Sequence, residues 1–234
     1  GLPSQVVLRP LYLGCLSQAS YLVGDASTGR AIAVDPRRDI SEMLAAAESE
    51  GLTIELIVQT HFHADFLSGH LELAEATGAA IAYGSVATTD FASRSLADHE
   101  VVGLGRTEIE VRHTPGHTPE SISLVVRPEA GAAPVAVLTG DTLFIGDVGR
   151  PDLLVSVGVT ADDLGRKLYR SVHELLELPD STLVLPAHGA GSACGKALST
   201  ETVSTIGEQR RTNYAVQPMS EAAFVELVTE DQPA

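Results

Sequence analysis

Residues 60–69 read THFHADFLSG, with histidine at 61 and 63 and aspartate at 65. They follow an apolar, β-branched run at 52–59 that predicts a buried strand. They precede a short helical pattern at 71–77, which Gly78 ends. The three side chains therefore lie between a strand and a helix, where a rigid scaffold can hold them around a cavity. Imidazole and carboxylate groups at alternating positions can converge on one metal ion.

Three further strand-like runs end next to a histidine or an aspartate. A single His-x-His motif is a weak signal, but four such strand ends in one chain are a strong one. We therefore expect the loops that follow these strands to form one site. The side chains at the three downstream strand ends are His117, Asp141 and His188.

Length and composition indicate one large globular domain. The chain has 234 residues, 44% of them hydrophobic, which is enough for a sizeable core and argues against disorder. The net charge of −16 and the pI of about 4.7 argue against nucleic acid or an anionic membrane as a partner. No apolar run is long enough to span a membrane, and we find no secretory signal pattern.

The two cysteines, Cys15 and Cys194, are too few for a disulfide scaffold. Neither belongs to a C-x-x-C pair, so a zinc knuckle is excluded. This cysteine usage predicts a reducing, cytoplasmic location.

The order of predicted elements is strands, then helix, then strands in each half of the chain. Thr160 begins a capping-box-like start of the longest helix. Residues 85–100 have an ambiguous pattern that fits a lid or an irregular loop. This order predicts two packed sheets with helices outside. The predicted helices are 40–50, 71–77, 160–178, 200–211 and 220–228.

The six ligand-type residues, taken in chain order, resemble the metallo-β-lactamase superfamily. The resemblance covers nearly the whole chain and implies an α/β (α+β) fold, a four-layer αββα sandwich with its metal site at one edge. We accordingly expect a single domain over residues 1–234. The six residues are His61, His63, Asp65, His117, Asp141 and His188.

Phe66 departs from the pattern of much of that superfamily. Many members have a histidine directly after the aspartate and bind two metals. A phenyl ring has no lone pair to donate, so the second metal site loses a ligand here. Hydrolysis by two metals is therefore not expected.

Several motifs resemble one subgroup, the persulfide dioxygenases. PAHGAGSACGK at 186–196 is similar to members that are fused to a rhodanese domain, and residues 229–234 would then be a tail or the start of a linker to that absent domain. The other motifs are THFHAD at 60–65, TGDTLFI at 139–145, GRPD at 149–152 and LYRSVH at 168–173.

The resemblance implies one Fe(II) per chain, with the family's ligands carried over to His61, His117 and Asp141. Two histidines and a carboxylate suit non-haem Fe(II) oxygen chemistry, although zinc would accept the same ligands. The implied reaction consumes a small persulfide such as glutathione persulfide, O₂ and water, and yields sulfite and a thiol in sulfide detoxification. The family also implies a homodimer.

The other ligand-type residues are expected to act around the metal. We expect His63, Asp65 and His188 to orient the ligands or metal-bound water, with a helix N-cap as an equal alternative for Asp65. Cys194 lies in a glycine-rich loop and could accept or relay sulfur as a thiolate; an inert small residue is the alternative.

Arg150 and Asp152 are candidates for substrate binding. A guanidinium binds a carboxylate through two parallel hydrogen bonds, so Arg150 could hold a carboxylate of the thiol carrier. A structural ion pair between Arg150 and Asp152 is an equal alternative.

Two other functions remain open. A thiolester hydrolase of glyoxalase II type would need two metals, and Phe66 argues against it. A non-catalytic binding or sulfur-relay module, working with a rhodanese domain or protein, would carry persulfide on Cys194 without oxygen uptake. The sequence does not identify the thiol carrier.

Overall fold

The computed structural model describes residues 2–13, 18–63, 68–153, 156, 158–188 and 203–230. Within them, strands form two six-stranded sheets and a small hairpin. The first sheet has the strands in chain order. Its first three strands are antiparallel, and its last four run parallel to one another. These strands are β1 (Val6–Leu13), β2 (Gln18–Asp25), β3 (Arg30–Val34), β4 (Thr53–Val58), β5 (Ala80–Gly84) and β6 (Arg94–Leu96).

The second sheet has the strand order β14-β13-β10-β9-β8-β7. Only β10 and β13 are parallel neighbours among its pairs in the described residues. A separate hairpin joins β11 (Leu143–Phe144) and β12 (Asp147–Val148). The strands of the sheet are β7 (Val101–Gly103), β8 (Glu108–His113), β9 (Ile122–Arg127), β10 (Ala136–Gly140), β13 (Leu183–Pro186) and β14 (Ser204–Thr205).

Helices cover the outer face of each sheet. Met43 and Leu73 pack helices α1 and α2 on the first sheet, and Leu168 and Phe224 pack α3 and α5 on the second. A third apolar cluster fills the space between the sheets. The predicted αββα sandwich is therefore confirmed. The helices are α1 (Ser41–Ser49), α2 (His70–Thr77), α3 (Ala161–Leu175), α4 (Ile206–Thr212), a 3₁₀ turn (Tyr214–Val216) and α5 (Glu221–Thr229).

No helix in the described ranges is both long enough and apolar enough to cross a bilayer.

The parallel pairs bring the site-bearing loops to one edge of the sandwich. Strand β3 runs parallel to β4, and β10 runs parallel to β13, so the ends of neighbouring strands meet. The two sheets are joined at this edge by a hydrogen bond of 2.9 Å from the backbone N–H of Ile122 to the carbonyl of Thr60. Loops that are far apart in sequence are thus held together by the backbone itself.

Three local predictions need correction. The helix predicted at 200–211 begins only at Ile206, because Ser204 pairs with β13 and the Thr205 side chain caps α4. The ambiguous segment contains the short parallel strand β6. Helix α2, predicted to begin at residue 71, begins at His70 with Gly69 at its N-cap position.

The segment predicted as a tail begins inside a helix. Thr229 is the last residue of α5, and residues 231–234 lie outside the described residues.

A buried carboxylate, Asp25, links the two sheets by hydrogen bonds at the edge opposite the site-bearing loops. It is fully buried at the end of β2 and accepts hydrogen bonds from the backbone of Ser27 at 2.8 Å and of Thr107 at 2.9 Å. Burial acts to raise the pKa of Asp25, but these hydrogen bonds outweigh it and lower the pKa from 3.8 to about 2. The ionised carboxylate therefore stabilises the fold.

We expect the D25N variant to lose stability in a pH-dependent way. Because the folded pKa lies below the unfolded one, the stabilisation is complete above about pH 5 and is lost as pH falls through 3.8 toward 2. The difference in unfolding free energy between wild type and D25N should be about 2 kcal/mol at pH 7 and about half of that at pH 3. Urea unfolding at several pH values measures it, and exposed Asp162→Asn is the control. A pH-independent difference would contradict the assignment.

Candidate metal centre

Three ligand-type side chains meet where β4, β8 and β10 end. Oδ2 of Asp141 lies 3.4 Å from Nε2 of His61 and 3.3 Å from Nε2 of His117. All three donor atoms fall within 4.8 Å of one another. The side chains are 4–15% exposed, so the cluster is shielded but reachable.

These distances fit a single metal ion. Two donor atoms that each lie about 2.1 Å from an ion are about 3.0 Å apart at a right angle and about 3.4 Å apart at a tetrahedral angle. The observed separations of 3.3 and 3.4 Å lie in this range. The donor set of two imidazoles and one carboxylate suits Fe(II) or Zn²⁺.

A buried relay determines which nitrogen of His61 is free. Oγ1 of Thr60 donates to Oδ2 of Asp35 at 2.6 Å, because a carboxylate can only accept. Oγ1 of Thr60 also lies 3.0 Å from Nδ1 of His61. Because its own proton is donated to Asp35, it must accept a hydrogen bond from the Nδ1–H group. Nε2 of His61 therefore carries a lone pair and is available to a metal.

The imidazole of His61 is neutral at physiological pH. Burial and the nearby charge of His63 lower the pKa of His61 from 6.5 to about 4. A neutral imidazole is the form that binds a metal, so this burial favours the proposed ligand role.

The ring of His117 is oriented by a backbone carbonyl. Nδ1 of His117 donates to the carbonyl oxygen of Arg150 at 2.7 Å, which leaves Nε2 unprotonated toward Asp141. The turn before it needs glycine, because Gly116 has a φ of +151° and a Cβ there would lie 2.4 Å from Leu168.

The two oxygens of Asp141 have different partners. Oδ2 faces His61 and His117, whereas Oδ1 accepts a 2.6 Å hydrogen bond from Nδ1 of His188. Burial acts to raise the pKa of Asp141, but His61 and His188 outweigh it and hold the pKa well below its usual range. Burial likewise acts to lower the pKa of His188, yet Asp141 raises it. The carboxylate is therefore ionised.

The His63 ring lies beside that of His61, with centroids 4.1 Å apart, and faces Asp35. Its Nε2 lies 2.9 Å from Oδ1 of Asp35. Burial acts to lower the pKa of His63, but the Asp35 carboxylate raises it above its usual value. The lone-pair position at Nε2 is thus taken by a proton shared with a carboxylate. Asp35, His61 and His63 nevertheless form a second group of potential ligands within 4.8 Å.

Asp35 is a residue of the site that sequence reasoning missed. It directly follows β3, is buried, and contacts Thr60 and His63. Its φ of +49° is unusual for a residue other than glycine. The signal was available, since Asp35 is one more aspartate at the end of a predicted strand.

Arg150 and Asp152 flank the centre on the His117 side. The Arg150 guanidinium lies 3.2 Å from Oδ1 of Asp147 and 3.0 Å from the hydroxyl of Tyr214, and is 36% exposed. The backbone N–H of Asp152 donates to the carbonyl of His117 at 2.8 Å. Asp147 is thus an ion-pair partner that the structure gives Arg150, and both expectations for Arg150, a substrate carboxylate or an ion pair with Asp152, stay predictions.

Asp65, Phe66 and Cys194 lie outside the described residues. The expectations for these three positions therefore stay predictions.

The sandwich and its centre define a class, the metal-binding αββα proteins. The chain belongs to the metallo-β-lactamase superfamily, whose family description matches residues 13–188. The mitochondrial persulfide dioxygenase ETHE1 of Bos taurus is 31% identical over 91% of this chain and 77% of that protein. The structure of ETHE1 from Myxococcus xanthus matches with a TM-score of 0.79 and 29% identity, covering 97% of this chain and 92% of that one.

A metallo-β-lactamase structure from Staphylococcus aureus matches with a TM-score of 0.87 and 37% identity, over 99% of this chain and 69% of that one. The predicted superfamily and the kinship with persulfide dioxygenases are confirmed, and the rhodanese fusion stays a prediction. The chain spans about half, 52%, of the beta-lactamase hydrolase-like protein of Xylella fastidiosa that it matches. Relatives with hydrolase names also match. Membership therefore establishes the fold and a metal-binding site, and leaves the substrate open.

Proposed function

We propose that this protein is a persulfide dioxygenase with one Fe(II) bound by His61, His117 and Asp141. In the balanced reaction, R–S–S⁻, O₂ and H₂O give R–SH and hydrogen sulfite. The observation that carries the proposal is that the other two histidines near the centre, His63 and His188, are hydrogen-bonded to carboxylates. His63 and His188 each share a ring proton with a carboxylate, which leaves two histidines and one aspartate as the ligand set.

Fe(II) in such a set supplies one-electron chemistry with O₂ and open positions for two substrates. The chain supplies the geometry. The Asp35–Thr60 relay holds His61 in the tautomer with Nε2 free, and the Arg150 carbonyl does the same for His117. Preset ligands avoid reorganisation when substrates arrive.

His188 and His63 hold protons beside the centre. His188 carries its proton at Nδ1 against Asp141, and the His63–Asp35 pair carries one at Nε2. The reaction releases a thiol that must gain a proton. In the balanced reaction this proton comes from water, and we assign its transfer to His188, because the His188 side chain is 29% exposed whereas that of His63 is 8% exposed.

Relatives support the same assignment. The persulfide dioxygenases of Bos taurus and Myxococcus xanthus are about 30% identical to this chain over most of its length. Phe66 stands where two-metal members have a histidine, which favours one metal. We further propose that Arg150, with Asp152 beside it, holds a carboxylate of the thiol carrier, and that Cys194 handles sulfur.

Oxygen uptake tests the proposal directly. The metal-free protein is loaded anaerobically with Fe(II), given glutathione persulfide, and followed on an oxygen electrode with sulfite assayed in parallel. We expect oxygen uptake matched by sulfite, and its loss in His61→Ala. His173→Ala is the matched control, because His173 lies on the exposed side of α3, bonded to the Tyr169 carbonyl.

Two results would contradict the proposal. One is binding of two metals per chain with hydrolysis of a glutathione thiolester and no oxygen uptake, which would establish a hydrolase. The other is full oxygen uptake by His61→Ala. Persulfide bound to Cys194 without uptake would point to sulfur relay.

A further inference from the structure

The loop that carries His61 and the loop that carries His117 are joined by one buried carboxylate, Glu120. It is 5% exposed and lies just before β9. Its Oε2 accepts a 3.2 Å hydrogen bond from the backbone N–H of Phe62, which lies between His61 and His63. The same oxygen accepts a hydrogen bond from the Thr118 hydroxyl. One oxygen therefore contacts a neighbour of each histidine ligand.

This link spans the two sheets at the edge that holds the centre. Phe62 follows β4 of the first sheet, and Thr118 and Glu120 lie between β8 and β9 of the second. The backbone bond from Ile122 to Thr60 lies beside it. That bond aligns the strands, whereas Glu120 acts one residue beyond His61, where the ligand loop has left the sheet.

We propose that Glu120 is a positioning residue of the metal centre, which sets the separation of His61 and His117 by holding Phe62 against Thr118. A buried carboxylate costs free energy unless it is hydrogen-bonded, and the hydrogen bonds from Phe62 and Thr118 offset that cost for Glu120. Groups that orient metal ligands from behind commonly change metal affinity about 10–100-fold when removed. The proposal rests on the ligand set of the proposed function.

The structure offers a matched control in Asp25. This carboxylate is also buried and also links the two sheets, through the Thr107 backbone, but at the opposite edge. We expect loss of Asp25 to destabilise the sandwich without changing the loops that carry the metal ligands. Comparison of the two variants separates positioning of the metal ligands from general stability.

The experiment is a Co(II) titration of the metal-free full chain, followed by visible absorption, with melting of the metal-free protein in parallel. We expect Glu120→Ala to weaken Co(II) binding about tenfold or more. Glu120→Asp withdraws the carboxylate by about 1.5 Å and should weaken binding as well. Glu120→Gln keeps an acceptor oxygen in place and should bind within about threefold of wild type.

Asp25→Ala should melt lower and bind Co(II) with unchanged affinity. If Glu120→Ala does not fold, the Co(II) affinity of Glu120→Asp provides the test. Wild-type affinity in the Asp variant, or an equal loss in Asp25→Ala, would overturn the proposal. Retained Co(II) binding in His61→Ala would instead overturn the ligand set, so the two failures are distinguishable.

Discussion

Replacement of Asp141 with alanine is expected to abolish metal binding and catalysis together. Among the described residues, Asp141 is the one carboxylate grouped with His61 and His117, and its two oxygens contact the ligand pair and His188. Without it, the two imidazoles of His61 and His117 remain to hold the ion. We expect metal affinity to fall by more than the roughly 100-fold upper range for groups that only orient ligands.

Metal analysis after dialysis and oxygen uptake with added Fe(II) measure the two losses. Asp162→Ala, an exposed aspartate in the first turn of α3, is the control and should retain both metal and activity. Melting of the metal-free proteins checks that the Asp141 variant is folded. Activity in a variant that has lost its metal would contradict the assignment, as would wild-type metal content.

Asp35→Asn is expected to disable the centre without removing any ligand. The amide oxygen of Asn at position 35 can replace Oδ1 and accept hydrogen bonds from the Thr60 N–H and from His63. The amide NH₂ group then takes the place of Oδ2 and donates a hydrogen bond to the Thr60 hydroxyl. Thr60 must then donate to Nδ1 of His61, which places the His61 proton on Nε2. The protonated nitrogen is the one that faces the metal.

This tautomer change should lower metal affinity about 10–100-fold, with a corresponding loss of activity. Asparagine suits the left-handed backbone at this position, so the fold should tolerate it. Nitrogen-15 NMR of the metal-free protein reports the His61 tautomer, and a Co(II) titration reports affinity. Asp25→Asn neutralises another buried carboxylate and should change stability only. An unchanged tautomer in Asp35→Asn would refute the relay.

Sequence reasoning could place His61, His117, Asp141 and His188 at one edge because each lies in the loop that follows a strand. Strands are recognised from local periodicity, and neighbouring strand ends meet at sheet edges. The structure brings these four side chains together within hydrogen-bonding or ligand distance. This part of the site was predictable.

The partners of these side chains were less predictable. The sequence proposed a substrate or Asp152 as the partner of Arg150. It did not indicate the contacts that the structure gives Arg150 with Asp147 and with Tyr214, 64 residues away. Asp35 was missed because its partner Thr60 lies 25 residues on, across the parallel pair β3–β4. Such contacts depend on sheet order, which local patterns do not specify.

The sequence by itself determined most of the helices and strands, the strand-end ligands and the absence of a histidine at Phe66, because these depend on residue type and local spacing. Only the tertiary structure decided the tautomers of His61 and His117 and the proton partners of His63 and His188. It also decided the link through Glu120. The physical reason is that a hydrogen bond forms only within about 3.5 Å. Folding alone brings residues so distant in sequence within that range.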